Sequence, residues 1–200
     1  MKKTNVVTIA FLILTTATLI YDFINNDSEK LFKGIMIYLT VAAAWFLFNK
    51  TFLKKIEAVY YIALVFIFFS IYLANLWDFY GIPHYDKFLH FMSGIILALF
   101  GLILYMYMGR KNTEVNKHQI TIVIFPLFFA IACAGCWEIW EFTTDSLFGL
   151  HAQNNSLVDT MTDIIAGTIG GSLTSVINYA SYRGKNIKLI KNIVNSPIFK

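Results

Sequence analysis

Two pairs of ionisable residues with helical spacing are the first candidates for chemistry in this sequence. Asp86 and His90 are four residues apart. Asp159 and Asp163 have the same separation, so each pair would share one face of an α-helix. Carboxylate oxygens and an imidazole nitrogen suit Mg²⁺, Mn²⁺, Fe²⁺ or Zn²⁺, and helix bundles build metal sites from such pairs on facing helices. The two pairs therefore predict a site for one or two divalent cations.

A third segment adds carboxylates at related spacing. Glu138 and Glu141 are three residues apart and would be neighbours on a helix. Carboxylates held close together repel one another unless a cation or a shared proton relieves them, and Lys87 alone is insufficient. Glu141 is the predicted general base or a further ligand. The predicted metal ligands are Asp86, His90, Glu138, Asp159 and Asp163, and the predicted catalytic residues are Glu141 and Glu138.

Small residues continue each of these faces at the helical spacing. Membrane helices approach one another most closely where both carry small side chains. The three faces are therefore expected to meet, which would bring the carboxylates and His90 together at one level. The small residues are Gly94, Ala98 and Gly101 after His90, Ala134 before Glu138, and Gly167 and Gly171 after Asp163.

The composition requires these helices to lie in a lipid bilayer. The 200 residues are 58% hydrophobic and 14% charged, whereas soluble domains have about 45–50% and about 25%. Six runs lack Asp, Glu, Lys and Arg, and each is close to the ~20 residues that cross a ~30 Å hydrocarbon layer. This excludes a secreted disulfide scaffold, a disordered chain and a soluble α/β enzyme. The runs are residues 4–21, 34–49, 58–77, 88–109, 119–137 and 164–182.

The predicted fold is an all-α, polytopic transmembrane bundle of six helices in a single domain over residues 1–200. Five helices are the main alternative, because the run 34–49 is the shortest. No small-x-small cleavage pattern follows the first run, so it is predicted to be a membrane helix and not a signal peptide. A polar connection is expected over residues 142–158. The predicted helices are about 4–24, 31–49, 57–77, 85–109, 119–142 and 159–182.

Basic residues predict the orientation of the bundle, since they are retained on the cytoplasmic side. All of the 16 Lys and Arg except Lys30, Lys33 and Lys87 fall on the side of the two termini, which are therefore predicted to be cytoplasmic. Of the 12 Asp and Glu, only Glu57 and Glu114 share that side, so the candidate site lies at the outer surface. The net charge of +4 then does not indicate nucleic acid. The predicted partner is the bilayer of a bacterial cytoplasmic membrane.

Two observations offer simpler readings of individual residues. Asp159 follows Ser156 by three positions and could form a helix-capping box. Cys133 and Cys136 form a C-x-x-C pair like those of thiol oxidoreductases. Such relays need a second cysteine pair, and the chain has only 2 cysteines, so both are predicted to be helix-packing residues.

Three motifs together resemble the pattern of the YjdF-like family of bacterial inner membrane proteins. They are Asp86-Lys87-Phe88-Leu89-His90-Phe91 with Gly94, Trp137-Glu138-Ile139-Trp140-Glu141-Phe142, and Asp159-Thr160-Met161-Thr162-Asp163 with Gly167 and Gly171. The resemblance covers about residues 78–180. It implies a multi-helix membrane protein and does not imply a particular activity.

A looser similarity runs to the VanZ-like family, which is linked to glycopeptide resistance and the cell envelope. The shared order is Asp-Lys-x-x-His-Phe, a helix-borne Glu, then Asp-x-x-x-polar-x-x-x-Gly. Asp163 stands where that pattern usually has Asn, and residues 119–182 lack the arginine expected between the later motifs. These departures argue against transferring a VanZ-like function.

Three classes of function remain open on this evidence. The first is a metal-assisted enzyme acting on a lipid or lipid-linked headgroup at the outer leaflet. The second is a cation or proton transporter with a path along the glycine-lined fourth and sixth helices. The third is a non-catalytic cell-envelope or resistance factor whose polar cluster fixes helix packing.

Overall fold

The fold is all-α, as predicted. The computed structural model describes residues 3–109, 120–149, 151–154, 156–196 and 199. Within these residues the chain forms seven α-helices and no β-strand. They are α1 (Lys3–Ile24), α2 (Ser28–Lys50), α3 (Glu57–Ile67, continued by a π-helix over Phe68–Leu76), α4 (Tyr85–Gly109), α5 (Thr121–Phe148), α6 (Leu157–Tyr182) and α7 (Lys188–Val194). Residues 110–118 of the predicted basic loop, residue 119 at the predicted start of the fifth helix, and residues 150 and 155 of the predicted polar connection lie outside the described residues.

Five helices of the described chain are long and apolar enough to cross a bilayer. They are α1, α2, α3 with its π-helical continuation, α4 and α5. Helix α6 is equally long, with 26 residues, but it is not among the five because Asp, Thr, Ser and Gly make up much of its sequence. A polytopic membrane protein is therefore supported, and the sixth crossing stays a prediction.

Helix α5 extends beyond its predicted end and shortens the polar connection that follows it. It ends at Phe148 instead of about residue 142, because Gly149 adopts a left-handed conformation (φ 67°) suited to ending a helix. The Asp145 carboxylate then accepts hydrogen bonds from the backbone N–H groups of Ala152 and Gln153, both at 3.0 Å. This anchors the returning chain to the last turns of α5.

The contacts divide the chain into two compact units, Met1–Tyr85 and Asp86–Lys200. In the first unit, α1, α2 and α3 bury an apolar core that includes Phe11, Ile37 and Tyr60. Threonine hydroxyls of α1 bond to tyrosine hydroxyls, as Thr8 does to Tyr60 at 2.6 Å and Thr18 to Tyr72 at 2.7 Å, so these buried hydroxyl groups are paired. The prediction of one domain over residues 1–200 stays a prediction.

The second unit is held together by backbone contacts between α4, α5 and α6. A Cβ atom on Gly94 would meet the carbonyl oxygen of Gly167, and one on Gly170 would meet that of Phe91. A Cβ atom on Gly167 would lie 3.2 Å from the Cβ of Ala134, so α5 also approaches α6 closely. The prediction that small residues mark the helix contacts is confirmed.

Gly94→Ala is expected to lower the free energy of unfolding by about 1–3 kcal/mol, since the added methyl group has no space against the Gly167 backbone. Thermal unfolding in detergent measures the change. Gly135→Ala is the matched control, because a Cβ there meets nothing within 4 Å. Equal stability of the two variants would contradict the close contact.

Candidate carboxylate and histidine site

The candidate site lies where the first turns of α4 and α6 meet in the second unit. The hydroxyl oxygen of Ser156 caps α6 by accepting from the backbone N–H of Asp159 at 3.2 Å. Only this half of the capping box is formed among the described contacts. The Asp159 carboxylate instead accepts hydrogen bonds from Lys87 Nζ at 2.5 Å and from Asn154 Nδ2 at 3.0 Å. The capping bond therefore uses only the backbone N–H of Asp159. Its carboxylate is available to contact the other residues of the site.

The ammonium group of Lys87 joins three carboxylates. Its Nζ lies 2.5 Å from Asp159, 2.8 Å from Asp163 and 3.5 Å from Asp86. The Asp163 side chain is 2% exposed and that of Lys87 is 25% exposed. Because water is largely excluded from this pair, the attraction is stronger than in an exposed ion pair, and removing either partner would leave a charge uncompensated.

His90 faces two of the same carboxylates. Its Nε2 lies 3.7 Å from Asp86 Oδ1 and 3.8 Å from Asp163 Oδ1, which is too far for a hydrogen bond. Two atoms that each bind one ion at about 2.1 Å can be at most about 4.2 Å apart. One ligand atom from each of Asp86, His90 and Asp163 lies within 4.8 Å of the others. The three residues therefore have a spacing that one divalent cation could bridge after a small adjustment.

Two carboxylate oxygens near this group are incompletely paired. Asp163 Oδ1 is buried and forms an ion pair with Lys87 Nζ at 2.8 Å, but it accepts no hydrogen bond from the described residues, since that of Lys87 goes to Oδ2. Glu138 on α5 is 4% exposed, and its Oε1 is also buried without a hydrogen-bond partner there. Buried oxygens of this kind are costly to leave unpaired. They provide acceptor positions for a cation or a proton.

Glu138 and Glu141 extend the site onto α5. Glu138 Oε2 accepts a hydrogen bond from Gln153 Nε2 at 3.2 Å. Glu141 Oε1 accepts one from the indole Nε1 of Trp137, four residues earlier on the helix, at 2.8 Å. The Glu141 carboxylate is within electrostatic range of Glu138, Asp86 and Asp163. The three predicted faces therefore contribute to one acidic region.

The predicted ligands do not occupy equivalent positions in this region. Asp86, His90 and Asp163 have ligand atoms close enough together that they could hold a metal ion, whereas Asp159 is turned toward Lys87 and Asn154. Metal ligation by Asp86, His90, Glu138, Asp159 and Asp163 and catalysis by Glu141 and Glu138 stay predictions. Sequence reasoning named Lys87 as a cation near the acids without identifying its partners, and it missed three residues that hydrogen-bond to them. These are Trp137, Gln153 and Asn154.

The signal for Lys87 was present in the sequence. It is the one basic residue of the Asp86–His90 motif, and the segment opposite it in the site carries Asp159 and Asp163. No sequence pattern indicates the contact between Gln153 and Glu138, because this contact depends on where α5 ends.

Lys87→Gln is expected to lower the free energy of unfolding by about 3 kcal/mol, because Asp159 and Asp163 lose their shared cation in a water-poor site. Adding Asp163→Asn should recover part of the loss in a double-mutant cycle. Denaturation in detergent measures both changes. Lys33→Gln is the control, since Lys33 pairs with the exposed Glu29 and should cost less than about 1 kcal/mol. A cost for Lys87→Gln no larger than for Lys33→Gln would contradict the central role of Lys87.

Comparison with known proteins agrees with the motifs that run through this site. The family model described as "Predicted membrane protein (DUF2238)" matches residues 6–184. A protein of Thermotoga maritima described as "Uncharacterized protein" is 28% identical over 101 residues, which are 50% of this chain and 50% of that protein. No solved structure gives a significant match. The looser VanZ-like similarity is not shown by these matches. The chain therefore belongs to the DUF2238 family of predicted membrane proteins, the YjdF-like family whose motifs it carries.

Proposed function

We propose that this membrane protein binds a divalent cation at the ends of α4 and α6 and uses it on a phosphate-bearing lipid or lipid-linked headgroup. The observation that carries the proposal is the grouping of Asp86, His90 and Asp163, whose ligand atoms lie within 4.8 Å of one another. An imidazole with two carboxylates suits Mn²⁺, Fe²⁺ or Zn²⁺, and further carboxylates would favour Mg²⁺. The incompletely paired oxygens of Asp163 and Glu138 support the need for a cation.

We further propose a six-helix topology with both termini in the cytoplasm of a bacterial cell. The described acids of the second unit all belong to the end of α4, α5 and α6 that carries the site. Arg183, Lys185, Lys188 and Lys191 follow the opposite end of α6. Because basic residues are retained on the cytoplasmic side, this separation supports a site at the level of the outer headgroups. Phosphate groups of lipids lie at that depth.

Each residue of the region has a distinct task in this proposal. The cation would polarise a phosphoryl oxygen and lower the energy of the charge that develops there. Asp86, His90 and Asp163 would hold it, and Glu141 would accept a proton from an attacking water. The water oxygen would bond to phosphorus as the P–O bond to the leaving alcohol breaks, and that alcohol would take up a proton. The hydrogen bond from Trp137 Nε1 fixes the orientation of Glu141.

Lys87 lowers the affinity of the same site for the cation. Its ammonium group holds Asp163 at 2.8 Å, so it competes with the cation for that carboxylate. It also offers a positive charge to a phosphate.

The packing of the glycines favours this proposal over a transporter. A transport path along α4 and α6 would pass Gly94 and Gly167, where the two backbones leave no room for a Cβ atom. A non-catalytic packing role accounts for the ion pairs of Lys87 but offers no partner for the buried Oε1 of Glu138. In the metal-dependent proposal, Glu138 would serve as a further ligand.

Purified protein is expected to carry about one divalent metal per chain and to unfold at a lower temperature after EDTA treatment. A ligand present at 100 times its Kd stabilises the folded state by about 2.7 kcal/mol. His90→Ala and Asp163→Asn should lose both the metal and the EDTA effect. Glu29→Gln, at an exposed ion pair of the first unit, should keep both. Metal analysis and thermal unfolding in detergent provide the measurements, and the absence of an EDTA effect on metal-bearing wild type would refute the site.

Glu141→Gln is expected to retain the metal and to lower turnover by roughly 10²–10⁴-fold, because a general base contributes about that much. Turnover is measured by mass spectrometry of headgroup release from bacterial lipid extract in nanodiscs supplied with Mn²⁺.

Trp137→Phe, which removes the hydrogen bond to Glu141, should reduce turnover more than Trp140→Phe. Full activity of Glu141→Gln would remove Glu141 from the reaction while leaving the metal site intact.

A further inference from the structure

A cavity of about 210 Å³ lies at the end of the second unit opposite the carboxylate site. Its walls come from α4, α5, α6 and α7 and from the residues that follow α7. A single water needs roughly 10–15 Å³ of such space, and sites for whole drug-sized ligands have about 300–1,000 Å³. The cavity is therefore large enough for a chemical group the size of a phosphate and too small for an entire lipid. Its polar lining residues are Asn178, Ser181, Lys191 and Asn195.

Asn178 is the buried polar residue of this lining. It is 3% exposed, and neither its amide nitrogen nor its amide oxygen has a hydrogen-bond partner among the described residues. A carboxamide carries two N–H donors and one oxygen acceptor, so leaving all of them unpaired is costly. An unpaired amide in the wall of a cavity has hydrogen-bonding capacity that a polar ligand would complete.

The charges around the cavity determine whether a positively or a negatively charged ligand is favoured. Arg183, Lys185, Lys188 and Lys191 are the charged residues of the described chain from residue 164 to 196. The described acids of the second unit lie at the other end of the helices, so their charges do not offset this basic segment. The resulting field favours an anion over a cation.

Helix α7 contributes both apolar side chains and a charged side chain to the cavity. Ile190 is 4% exposed and Ile193 is fully buried, so this apolar face holds the helix against the bundle. Lys191 lines the cavity between them, and Lys188 on the same helix does not. Leu102, Ile122 and Val194 supply apolar walls that a free inorganic anion would not use.

We propose that this cavity binds the phosphate of an anionic phospholipid from the leaflet at this end of the helices, with Asn178 and Lys191 as its recognition residues. The apolar walls receive the first carbons beyond the headgroup phosphate. The site is separate from the carboxylate site, and it stands whether or not the proposed metal chemistry is correct.

The test measures thermal unfolding of the full chain in detergent with phosphatidylglycerol, phosphatidylcholine or inorganic phosphate added. Phosphatidylglycerol is expected to raise the Tm of the wild type by several degrees more than phosphatidylcholine does, because a ligand that binds only the folded state stabilises it. Lys191→Gln should lose most of this difference. Lys188→Gln is the matched control, since both lysines are exposed residues of the same helix but Lys188 does not line the cavity, and it should keep the difference.

Asn178→Leu provides a second, independent variant. It should also lose the difference between the two lipids, while its Tm without lipid stays equal to or above that of the wild type, because an unpaired buried amide is removed. Equal losses in Lys188→Gln and Lys191→Gln would show diffuse surface attraction and overturn the proposal. An equal shift with inorganic phosphate would assign the site to a free anion, and no preference for phosphatidylglycerol in the wild type would also overturn it.

Discussion

The backbone contact between Gly94 of α4 and Gly167 of α6 is the constraint on which the candidate site depends. One helical turn toward the site from these glycines lie His90 and Asp163, and the contact holds their side chains 3.8 Å apart. Ala134 takes the same position relative to Glu138 on α5 and approaches Gly167. Between membrane helices there is little hydrophobic driving force, so close van der Waals packing has to supply the attraction. A larger side chain at the contact would separate the helices and the acids with them.

This packing concentrates negative charge beyond what the local base can neutralise. Asp86, Asp159 and Asp163 share Lys87, and the Glu141 carboxylate lies within electrostatic range of Glu138, Asp86 and Asp163. In a site that excludes much water, each uncompensated carboxylate is costly unless it is hydrogen-bonded, protonated or bound to a cation. Gln153, Asn154 and Trp137 supply hydrogen bonds to some oxygens. Oε1 of Glu138 and Oδ1 of Asp163 receive no hydrogen bond from the described residues, although Lys87 lies 2.8 Å from the latter.

Hydropathy and spacing were sufficient to predict the helices and the faces that meet. Runs without charge have a length fixed by the bilayer, and a spacing of four places Asp163, Gly167 and Gly171 on one face whatever the neighbouring helices do. The end of α5 could not be predicted in this way, since it depends on the conformation of Gly149 and on hydrogen bonds from Ala152 and Gln153 to Asp145. The sequence indicates that Lys87 lies near the acids but not which of them it contacts. A lysine has three donors on a flexible stem, and only the packed helices decide which carboxylates it reaches.

The separation of charge along α4, α5 and α6 has a physical implication beyond topology. Basic residues at one end are expected in any membrane protein, because they orient the helices during insertion. Acidic residues contribute little to orientation, so insertion gives no reason for them to gather at the opposite end. Packing accounts for part of the grouping, since Lys87 pairs with Asp86, Asp159 and Asp163, and Asp145 binds the chain that follows α5. The proposed function accounts for the rest, because two carboxylates beside the imidazole of His90 are suited to a cation.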